Sequence, residues 1–299
     1  QALHFAAQAV MSGTMNCVIA AGVESMSRIP MGAPHTVAEQ AGLGDYVSPQ
    51  IQHNFGVSSF SQFLGAEMIA EKYDFSKDTL DRYAFATTQK AITAINAGHF
   101  DNEILPLQER IKDMPPSDQL HAIDEGVRFN ASLEAINGLK VLQDGGRLTA
   151  GTASQICDGA SGVMVVNAAG LKALGVEPLA RIHHMSVIGH DPVIMLEAPI
   201  PATERALKMA GMDIDDIDLF EVNEAFASVP LAWLQATHAD PERLNISGGA
   251  IALGHPLGAS GTKLMTTLVH SLQRTNKRYG LQTMCEGGGM ANVTIIERL

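Results

Sequence analysis

A glycine-rich stretch at residues 248–261 constrains the fold more than any other part of the chain. It reads Gly-Gly-Ala-Ile-Ala-Leu-Gly-His-Pro-Leu-Gly-Ala-Ser-Gly, follows the apolar residues 244–247 and precedes an amphipathic run at 262–274. This order predicts a strand, a loop and a helix. Glycine frees the backbone and proline fixes it, so His255 is expected on a stiff, non-helical loop at a strand end. Open α/β sheets bind their ligands at that position.

Two further stretches have the same arrangement. Residues 221–227 (Glu-Val-Asn-Glu-Ala-Phe-Ala) and residues 285–290 (Cys-Glu-Gly-Gly-Gly-Met) each follow a short apolar run that predicts a strand. The three strand ends therefore carry an asparagine, a histidine and a cysteine. Such a set predicts a reaction centre in which protons are moved.

Predicted strands and helices alternate along most of the chain, which indicates an α/β sheet covered by helices. Residues 22–28 and 113–123 are expected to be loops, 100–106 extended, and 31–62 a surface excursion with little regular structure. The predicted helices are 1–12, 62–73, 77–98, 132–143, 168–174, 202–210, 223–237 and 262–274, and the predicted strands are 17–21, 159–166, 179–187, 217–220, 244–247, 282–285 and 292–297. The first helix is apolar nearly all round and is expected to be buried, as is the strand after it.

Composition excludes several classes of function. The 299 residues carry a formal charge of −12, which argues against a nucleic-acid surface, and no apolar run could span a bilayer. The three cysteines, Cys17, Cys157 and Cys285, are an odd number without close spacing. They predict a reducing, cytoplasmic setting with neither a disulfide framework nor a metal site.

Read together, the three loops resemble the thiolase family. The two longest matches, 248–261 and 285–289, are specific, and Asn-Glu-Ala-Phe at 223–226 adds to them. Weaker matches occur in family order over the whole chain, at residues 22–27, 66–67 and 149–155.

The resemblance implies an α/β fold of layers αβαβα, built from two similar halves with an inserted loop domain. It places the remnant of the N-terminal half at 1–32 and 155–177, the loop domain at 33–154 and the C-terminal half at 178–299. The first strands of the N-terminal half are expected to be missing. It also implies acyl transfer between CoA thioesters, with coenzyme A as a substrate, no permanently bound cofactor, and a homodimer or homotetramer.

The resemblance assigns catalytic roles to four positions. His255 is similar to the base that activates a nucleophile, although a lone histidine is more often a satisfied core residue. Cys285 is similar to an acid/base cysteine, the alternative being a small buried hydrophobe. Asn223 is similar to a residue that holds a water in an oxyanion hole, and it could also cap the helix predicted from residue 223. Gly287 is expected to supply a backbone N–H to a second oxyanion hole.

Other positions are expected to hold the substrate. Ser154 is similar to a serine that contacts the pantetheine arm of CoA, and Arg128 to an arginine near the CoA nucleotide. Phe226 and Met195 are expected to wall the acyl pocket, or simply to belong to the core. Glu224 could hydrogen-bond within the site or act as a first-turn acid of a helix. Thr152 stands where relatives commonly have asparagine.

One departure from the family is large. Thiolases use a nucleophilic cysteine at the start of the helix that here begins at Gln1, and the family pattern places it a few residues upstream. Cys17 enters an apolar strand, and Cys157 matches no nucleophile motif. The 299 residues alone are therefore expected to be inactive. The alternative is a non-catalytic protein that binds CoA or acyl-CoA.

Overall fold

Two β-sheets and one short two-strand ladder organise the chain in the computed structural model, which describes residues 1–109, 115 and 117–299. The helices are α1 (Ala2–Met11), α2 (Ala33–Gln40), α3 (Pro49–Phe55), α4 (Gln62–Lys72), α5 (Lys77–Asn96), α6 (Leu133–Asn137), α7 (Ala168–Leu174), α8 (Pro199–Ala210), α9 (Ser228–Thr237), α10 (Ala250–Leu253) and α11 (Ser260–Thr275). The strands are β1 (Cys17–Ser25), β2 (Leu107–Gln108), β3 (Leu120–His121), β4 (Asp158–Val166), β5 (Ala180–Gly189), β6 (Leu219–Val222), β7 (Tyr279–Glu286) and β8 (Met290–Arg298).

The larger sheet has the strand order β5-β8-β7-β6. Its edge strand β6 runs parallel to β7, with Val222 beside Thr283, so both strands end at the same edge. Helices α8 and α9 pack against one another, where the Trp233 indole N–H donates to Thr203 over 2.8 Å. Helix α11 packs on β6 and β7, and its first residues lie near the strand ends that carry the predicted site.

Strands β1 and β4 form a separate antiparallel pair with Cys17 opposite Val166. Helices α1 and α11 cover one face of this pair, where Ala20 is buried. A strand forms at 17–21 as predicted, but the prediction that it is buried is wrong. Alternate side chains of β1 point away from the helices, and Ile19 is 66% exposed. The strand also continues to Ser25 through part of the predicted loop 22–28.

Helix α1 is buried on one side only. Leu3, Ala6 and Val10 are buried, whereas Phe5 is 62% and Met11 77% exposed. The prediction of a helix buried all round is wrong, because the pair β1–β4 and α11 contact a single stripe of it.

Residues 31–62 are more regular than predicted, since α2 and α3 lie within them, although neither helix has a buried residue. Residues 100–106, predicted to be extended, form turns and irregular backbone before β2. Helix α5 begins as predicted, where Ser76 accepts a hydrogen bond from the backbone N–H of Thr79. Helix α6 stops at Asn137, shorter than the predicted 132–143. Part of the predicted loop 113–123 falls outside the described residues.

Two further boundary predictions are wrong in a way that affects the site. Helix α9 begins at Ser228 rather than at residue 223, because residues 223–227 form a loop that prolongs β6. No strand forms at 244–247, where Leu244 makes only an isolated bridge to Phe220. Over the described residues, no helix combines the length and the apolar character needed to cross a membrane.

Candidate active site

The loop that carries His255 lies between α10 and α11. Gly254 precedes it with a φ of 83° and a ψ of 162°, a conformation open essentially to glycine alone. A Cβ at this position would also lie 2.6 Å from the Cys157 sulfur. The backbone N–H of His255 donates to the Gln155 carbonyl over 3.0 Å. The glycine conformation at 254 and the contacts with residues 155–157 thus set the course of the loop that carries the imidazole.

The hydrogen bonds of His255 define its tautomer. Its Nδ1 lies 2.5 Å from the Ser260 Oγ, and that hydroxyl donates its own hydrogen to the Pro256 carbonyl over 2.9 Å. In this arrangement the Ser260 oxygen accepts from His255, which places the imidazole hydrogen on Nδ1. The Nε2 atom keeps its lone pair and faces the Asn223 Nδ2 at 3.3 Å.

Burial keeps the His255 imidazole neutral. Desolvation, assisted by the positive charge of Lys263, lowers the pKa of His255 from 6.5 to about 4. At neutral pH the side chain is therefore an uncharged imidazole with an available Nε2. That is the state of a proton acceptor.

Asn223 prolongs strand β6 beside β7. Its backbone N–H donates to the Thr283 carbonyl over 3.1 Å, which continues the parallel ladder by one residue. The helix N-cap considered for Asn223 is therefore wrong, since α9 begins five residues later. The same ladder places Asn223 beside the strand end at which Cys285 lies. The Asn and His loops are thus in contact, and the Cys loop ends the neighbouring strand.

Cys285 is a half-buried thiol opposite Ala291 near the end of β7. Burial raises the pKa of Cys285 from 9 to about 12, so the thiol is protonated at neutral pH. Gly287 lies in the turn that follows and is exposed, and a Cβ there would have no heavy atom within 4 Å. The turn leaves open space beside Gly287.

Glu224 ties the loop after β6 to two helices. Its Oε1 accepts hydrogen bonds from the Tyr83 and Thr87 hydroxyls of α5, each at 2.8 Å, and its Oε2 accepts from the backbone N–H of Ile251 in α10 at 3.1 Å. The role of a first-turn acid is therefore wrong. Glu224 anchors the Asn loop to the element that leads into His255.

Residues 152–157 bridge the Asn and His loops. The backbone N–H of Ser154 donates to the Ala225 carbonyl over 3.0 Å, and Ala153 bridges Phe226. Thr152, which stands in place of the family's asparagine, is buried, and its hydroxyl accepts from the Thr149 N–H over 2.8 Å. The loop is therefore hydrogen-bonded without the asparagine, and the half-buried Ser154 lies next to the loop of Asn223.

The remaining predicted contacts of the substrate differ in exposure. Arg128 is exposed, and it lies two residues from Gly126, whose carbonyl accepts from the Gln155 side chain over 3.0 Å. Phe226 is buried in the main core and makes an edge-to-face contact with Phe63 at 5.4 Å. Met195 is also buried in that core. The structure thus brings Ser154 and Phe226 to the Asn loop, while Arg128 lies on the surface nearby.

Sequence reasoning missed three residues at this site. Ser260 sets the tautomer of His255, Cys157 packs on Gly254, and Gly258 donates its N–H to the Glu24 carboxylate over 3.0 Å. The serine stands five residues after the histidine inside the glycine-rich stretch, a spacing that could have suggested it. The other two contacts join segments far apart in the sequence and leave no local signal. No group of three or more metal-ligating side chains occurs among the described residues.

A neutral imidazole, a protonated thiol and a carboxamide at one edge of an α/β sheet form a group of side chains that can accept and donate protons. Two family models match the chain: "Thiolase, N-terminal domain" over residues 1–169 and "Thiolase, C-terminal domain" over residues 176–298. The chain belongs to the thiolase family. The predicted fold and the predicted class of enzyme, an acyltransferase of this family, are confirmed.

Named relatives agree with this assignment. The chain is 51% identical over its whole length to the steroid 3-ketoacyl-CoA thiolase FadA6 of Mycobacterium tuberculosis, of which it covers 72%. It is 40% identical to a 3-ketoacyl-CoA thiolase of Aliivibrio salmonicida and covers 75% of that protein. Its fold matches human mitochondrial 3-ketoacyl-CoA thiolase in complex with CoA, with a TM-score of 0.85 and 33% identity over the whole chain and 75% of the human one. The predicted limits of the two halves and the loop domain stay a prediction.

Proposed function

We propose that this protein transfers acyl groups between CoA thioesters, cleaving a 3-ketoacyl-CoA with free CoA or condensing two acyl-CoA molecules in reverse. The observation that carries the proposal is the 3.3 Å contact between His255 and Asn223, at the sheet edge where Cys285 lies near the end of β7. A neutral imidazole and a protonated thiol are the base and the acid that this reaction needs at neutral pH.

In the first half-reaction, His255 takes the proton of the nucleophilic thiol at its Nε2. The resulting thiolate attacks the 3-keto carbon, the bond between C2 and C3 breaks, and its electron pair passes to C2. The Cys285 thiol gives its proton to C2, so that acetyl-CoA leaves and an acyl-enzyme remains. In the second half-reaction, the Cys285 thiolate takes the proton of free CoA, whose sulfur attacks the acyl group. The nucleophile leaves as a thiolate and regains its proton from the Nε2 of His255.

Both half-reactions develop negative charge on a thioester or ketone oxygen. We assign one oxyanion site to the Nε2 of His255 together with a water held by Asn223, and the other to the backbone N–H of Gly287. Ser154 would contact the pantetheine arm, Arg128 the nucleotide, and Phe226 and Met195 the acyl chain. The hydrogen bond of Ser154 to the loop of Asn223 supports the first of these contacts.

The nucleophile is proposed to lie outside the 299 residues, which would then be inactive alone. Cys17 is exposed on β1 and belongs to none of the loops that form the candidate site, so it does not fit the role of the nucleophile. Burial raises the pKa of Cys157 and, to about 12, that of Cys285, so neither is a thiolate at neutral pH. The relatives are longer than this chain, which covers 72–76% of them.

Intact-mass spectrometry tests the division of roles. After incubation with acetoacetyl-CoA, the 299-residue chain is expected to carry no acetyl group on Cys17, Cys157 or Cys285. A longer chain that includes the upstream cysteine is expected to form an acetyl thioester there and to release acetyl-CoA. Turnover by the 299 residues alone would overturn the assignment of the nucleophile.

Binding of CoA tests the rest of the site without chemistry. Isothermal titration of the 299-residue chain with CoA is expected to give saturable binding, weakened by Ser154→Ala and by Arg128→Ala. Lys172→Ala, which alters a residue outside the proposed site, is the matched control. If CoA binds and a longer chain shows no turnover, the alternative of a non-catalytic CoA or acyl-CoA binder is favoured.

The chemical identity of the acyl group is a more specific part of the proposal. The 51% identity to a steroid 3-ketoacyl-CoA thiolase favours a steroid-derived 3-ketoacyl-CoA over a straight-chain one. Competition between the two substrates in a longer chain decides it through the ratio of their kcat/KM values. A cytoplasmic location and a homodimer or homotetramer complete the proposal, and light scattering coupled to size exclusion tests the oligomer.

A further inference from the structure

A cavity lies behind the catalytic loop, between the larger sheet and helix α11. None of residues 285–290 lines it, and it admits about one water molecule, with a volume of about 10 Å³ for the centre of a water. Its polar lining includes Glu221, Asn223, Ser260, Lys263 and Thr267. Two of these residues, Asn223 and Ser260, are the hydrogen-bonding partners of the His255 imidazole.

Three buried side-chain oxygen atoms of β6, of the residue that prolongs it and of β7 accept no hydrogen bond from any described residue. They are the Glu221 Oε2, the Asn223 Oδ1 and the Gln282 Oε1. Glu221 and Asn223 are two residues apart on extended backbone, so their side chains point to the same face. Gln282 is the neighbour of Glu221 on β7 and donates to the Gly261 carbonyl at the start of α11, which places it on that face too.

These three acceptors need donors, because an unpaired buried acceptor costs about 1–3 kcal/mol. Oxygen atoms of a carboxylate and two amides supply no hydrogen, so hydrogens must come from a proton on Glu221 or from a water in the cavity. A neutral Glu221 can donate its hydrogen to a water in the cavity, and that water can donate one of its own hydrogens to the Asn223 Oδ1.

Among the described residues, no cation forms a salt bridge with Glu221, although Lys263 and Lys90 lie near enough to favour its charged form. Lys263 is directed at the Leu253 carbonyl, 3.1 Å away, and at Asp124, 3.4 Å away. Lys90 donates to the Leu244 carbonyl over 2.9 Å. The other charged groups near Glu221 are acidic: Glu224 follows on the same strand end, and Glu103 follows α5. Burial, reinforced by Glu224 and Glu103, raises the pKa of Glu221 well above 4.5.

We infer that Glu221 is a positioning residue which, as a neutral carboxylic acid and through one cavity water, holds the Asn223 carboxamide with its Oδ1 inward and its Nδ2 toward His255. Glu221 touches no reacting atom. If its proton were lost, the Asn223 Oδ1 would face a carboxylate, and the amide would rotate or withdraw from the Nε2 of His255. The inference rests on the proposed function for its catalytic meaning, while the geometry it describes is tested without substrate.

The first test measures unfolding against pH in the wild-type chain and in Glu221→Gln, a neutral variant of the same shape that keeps a donor. A carboxyl that stays protonated in the folded chain but ionises in the unfolded one loses stability as pH rises above 4.5. The ratio of the wild-type to the variant unfolding constant is therefore expected to rise about tenfold per pH unit once the pH exceeds 4.5, until Glu221 ionises in the folded chain. Glu103 is present in both proteins, so its contribution to the unfolding constants cancels in the ratio. A ratio independent of pH means an ionised Glu221 and overturns the inference.

The second test follows His255 directly. In a chain labelled with ¹⁵N-histidine, the Nε2 signal of His255 is expected to move at alkaline pH as Glu221 ionises, and to stay fixed in Glu221→Gln. Glu221→Met, which removes the donor, is expected to move the signal at neutral pH. The control Glu103→Gln alters a second buried acid, bonded to Thr267 over 3.0 Å, and should leave the signal in place.

An Nε2 signal that is the same in wild type, Glu221→Gln and Glu221→Met across this pH range would refute the positioning role. Should Glu221→Met fail to fold, the alkaline titration of wild type against Glu221→Gln decides alone. Absence of acyl transfer in a longer chain would contradict the proposed function. Both tests of the positioning role would stay valid, because they are made without substrate.

Discussion

The Nδ1 of His255 lies 2.5 Å from the Oγ of Ser260, whose own hydrogen is donated to the Pro256 carbonyl. This pair of bonds gives the His255 imidazole a single tautomer and directs the lone pair of its Nε2 at Asn223. A residue in the first turn of α11 thus decides which nitrogen of the histidine receives a proton.

Ser260→Ala is expected to release that constraint. Without the hydroxyl, the Nδ1–H of His255 loses its acceptor, the other tautomer becomes populated, and the chain loses about 1 kcal/mol of stability. Nitrogen NMR of labelled histidine measures the tautomer, and urea unfolding measures the stability. Thr266→Ala removes another hydroxyl of α11, which donates to the Thr262 carbonyl, and should leave the tautomer unchanged. A single Nδ1–H tautomer in both variants would contradict the assignment.

His4 is expected to make the fold sensitive to acid. It is buried, its Nε2 lies 2.8 Å from the Thr294 hydroxyl, and burial lowers the pKa of His4 from 6.5 to about 4. The unfolded chain therefore binds the proton first as pH falls, so this stability is complete above pH 6.5 and is lost between pH 6.5 and about 4. The loss by pH 5 is about 2 kcal/mol.

Urea unfolding of wild type and His4→Gln at pH 6.5 and pH 5 measures this effect. Glutamine keeps a side-chain nitrogen for the Thr294 hydroxyl and does not titrate. The difference in unfolding free energy between the two proteins is expected to shift by about 2 kcal/mol in favour of the variant at pH 5. Parallel pH curves would show that His4 is not the group responsible.

Local signals were enough to predict much of the fold. Helix α7 agrees with the predicted 168–174, where Asn167 caps its start and Gly175 ends it in the left-handed conformation. The cap at Ser76 is equally local. Prediction was wrong where partners lie far away in the sequence. Asn223 has the chemistry of an N-cap, yet its N–H pairs with Thr283, and no nearby residue could reveal this.

The candidate site shows the same contrast between local sequence signals and contacts of distant segments. His255 and Cys285 were predicted from their loops, and the 3.3 Å contact of His255 with Asn223 places two of the predicted residues together. The supporting contacts were not foreseen. Glu224 binds α5 and α10 from positions more than 20 residues away, and the burial of β1 depended on which face α1 covers. Packing between distant segments, rather than the strength of a motif, determined these outcomes.

Gly254→Ala is expected to disrupt the His255 loop. The φ of 83° strains any L-residue, and the new Cβ would lie 2.6 Å from the Cys157 sulfur, so a loss of about 2 kcal/mol or more follows. Thermal unfolding measures the loss. Gly189→Ala is the control, because a Cβ there meets no heavy atom within 4 Å. Adding Cys157→Ala should relieve the clash but leave the backbone strain, so only partial rescue is expected. Full rescue would show that the strain is negligible.

Alkylation of the three cysteines tests the protonation of Cys285. Iodoacetamide reacts with thiolates, and burial raises the pKa of Cys285 to about 12 from its ordinary 9. At pH 8 this leaves about a thousandfold fewer thiolates than an ordinary cysteine would have, so Cys285 should react far more slowly than the exposed Cys17. Peptide mass spectrometry over time measures each rate. In urea the three rates should converge, since the burial that protects Cys285 is then lost. Rapid labelling of Cys285 in the folded chain would show that it is a thiolate. A thiolate has no proton to donate to C2 of the substrate, so the proposed role of Cys285 as an acid would be wrong.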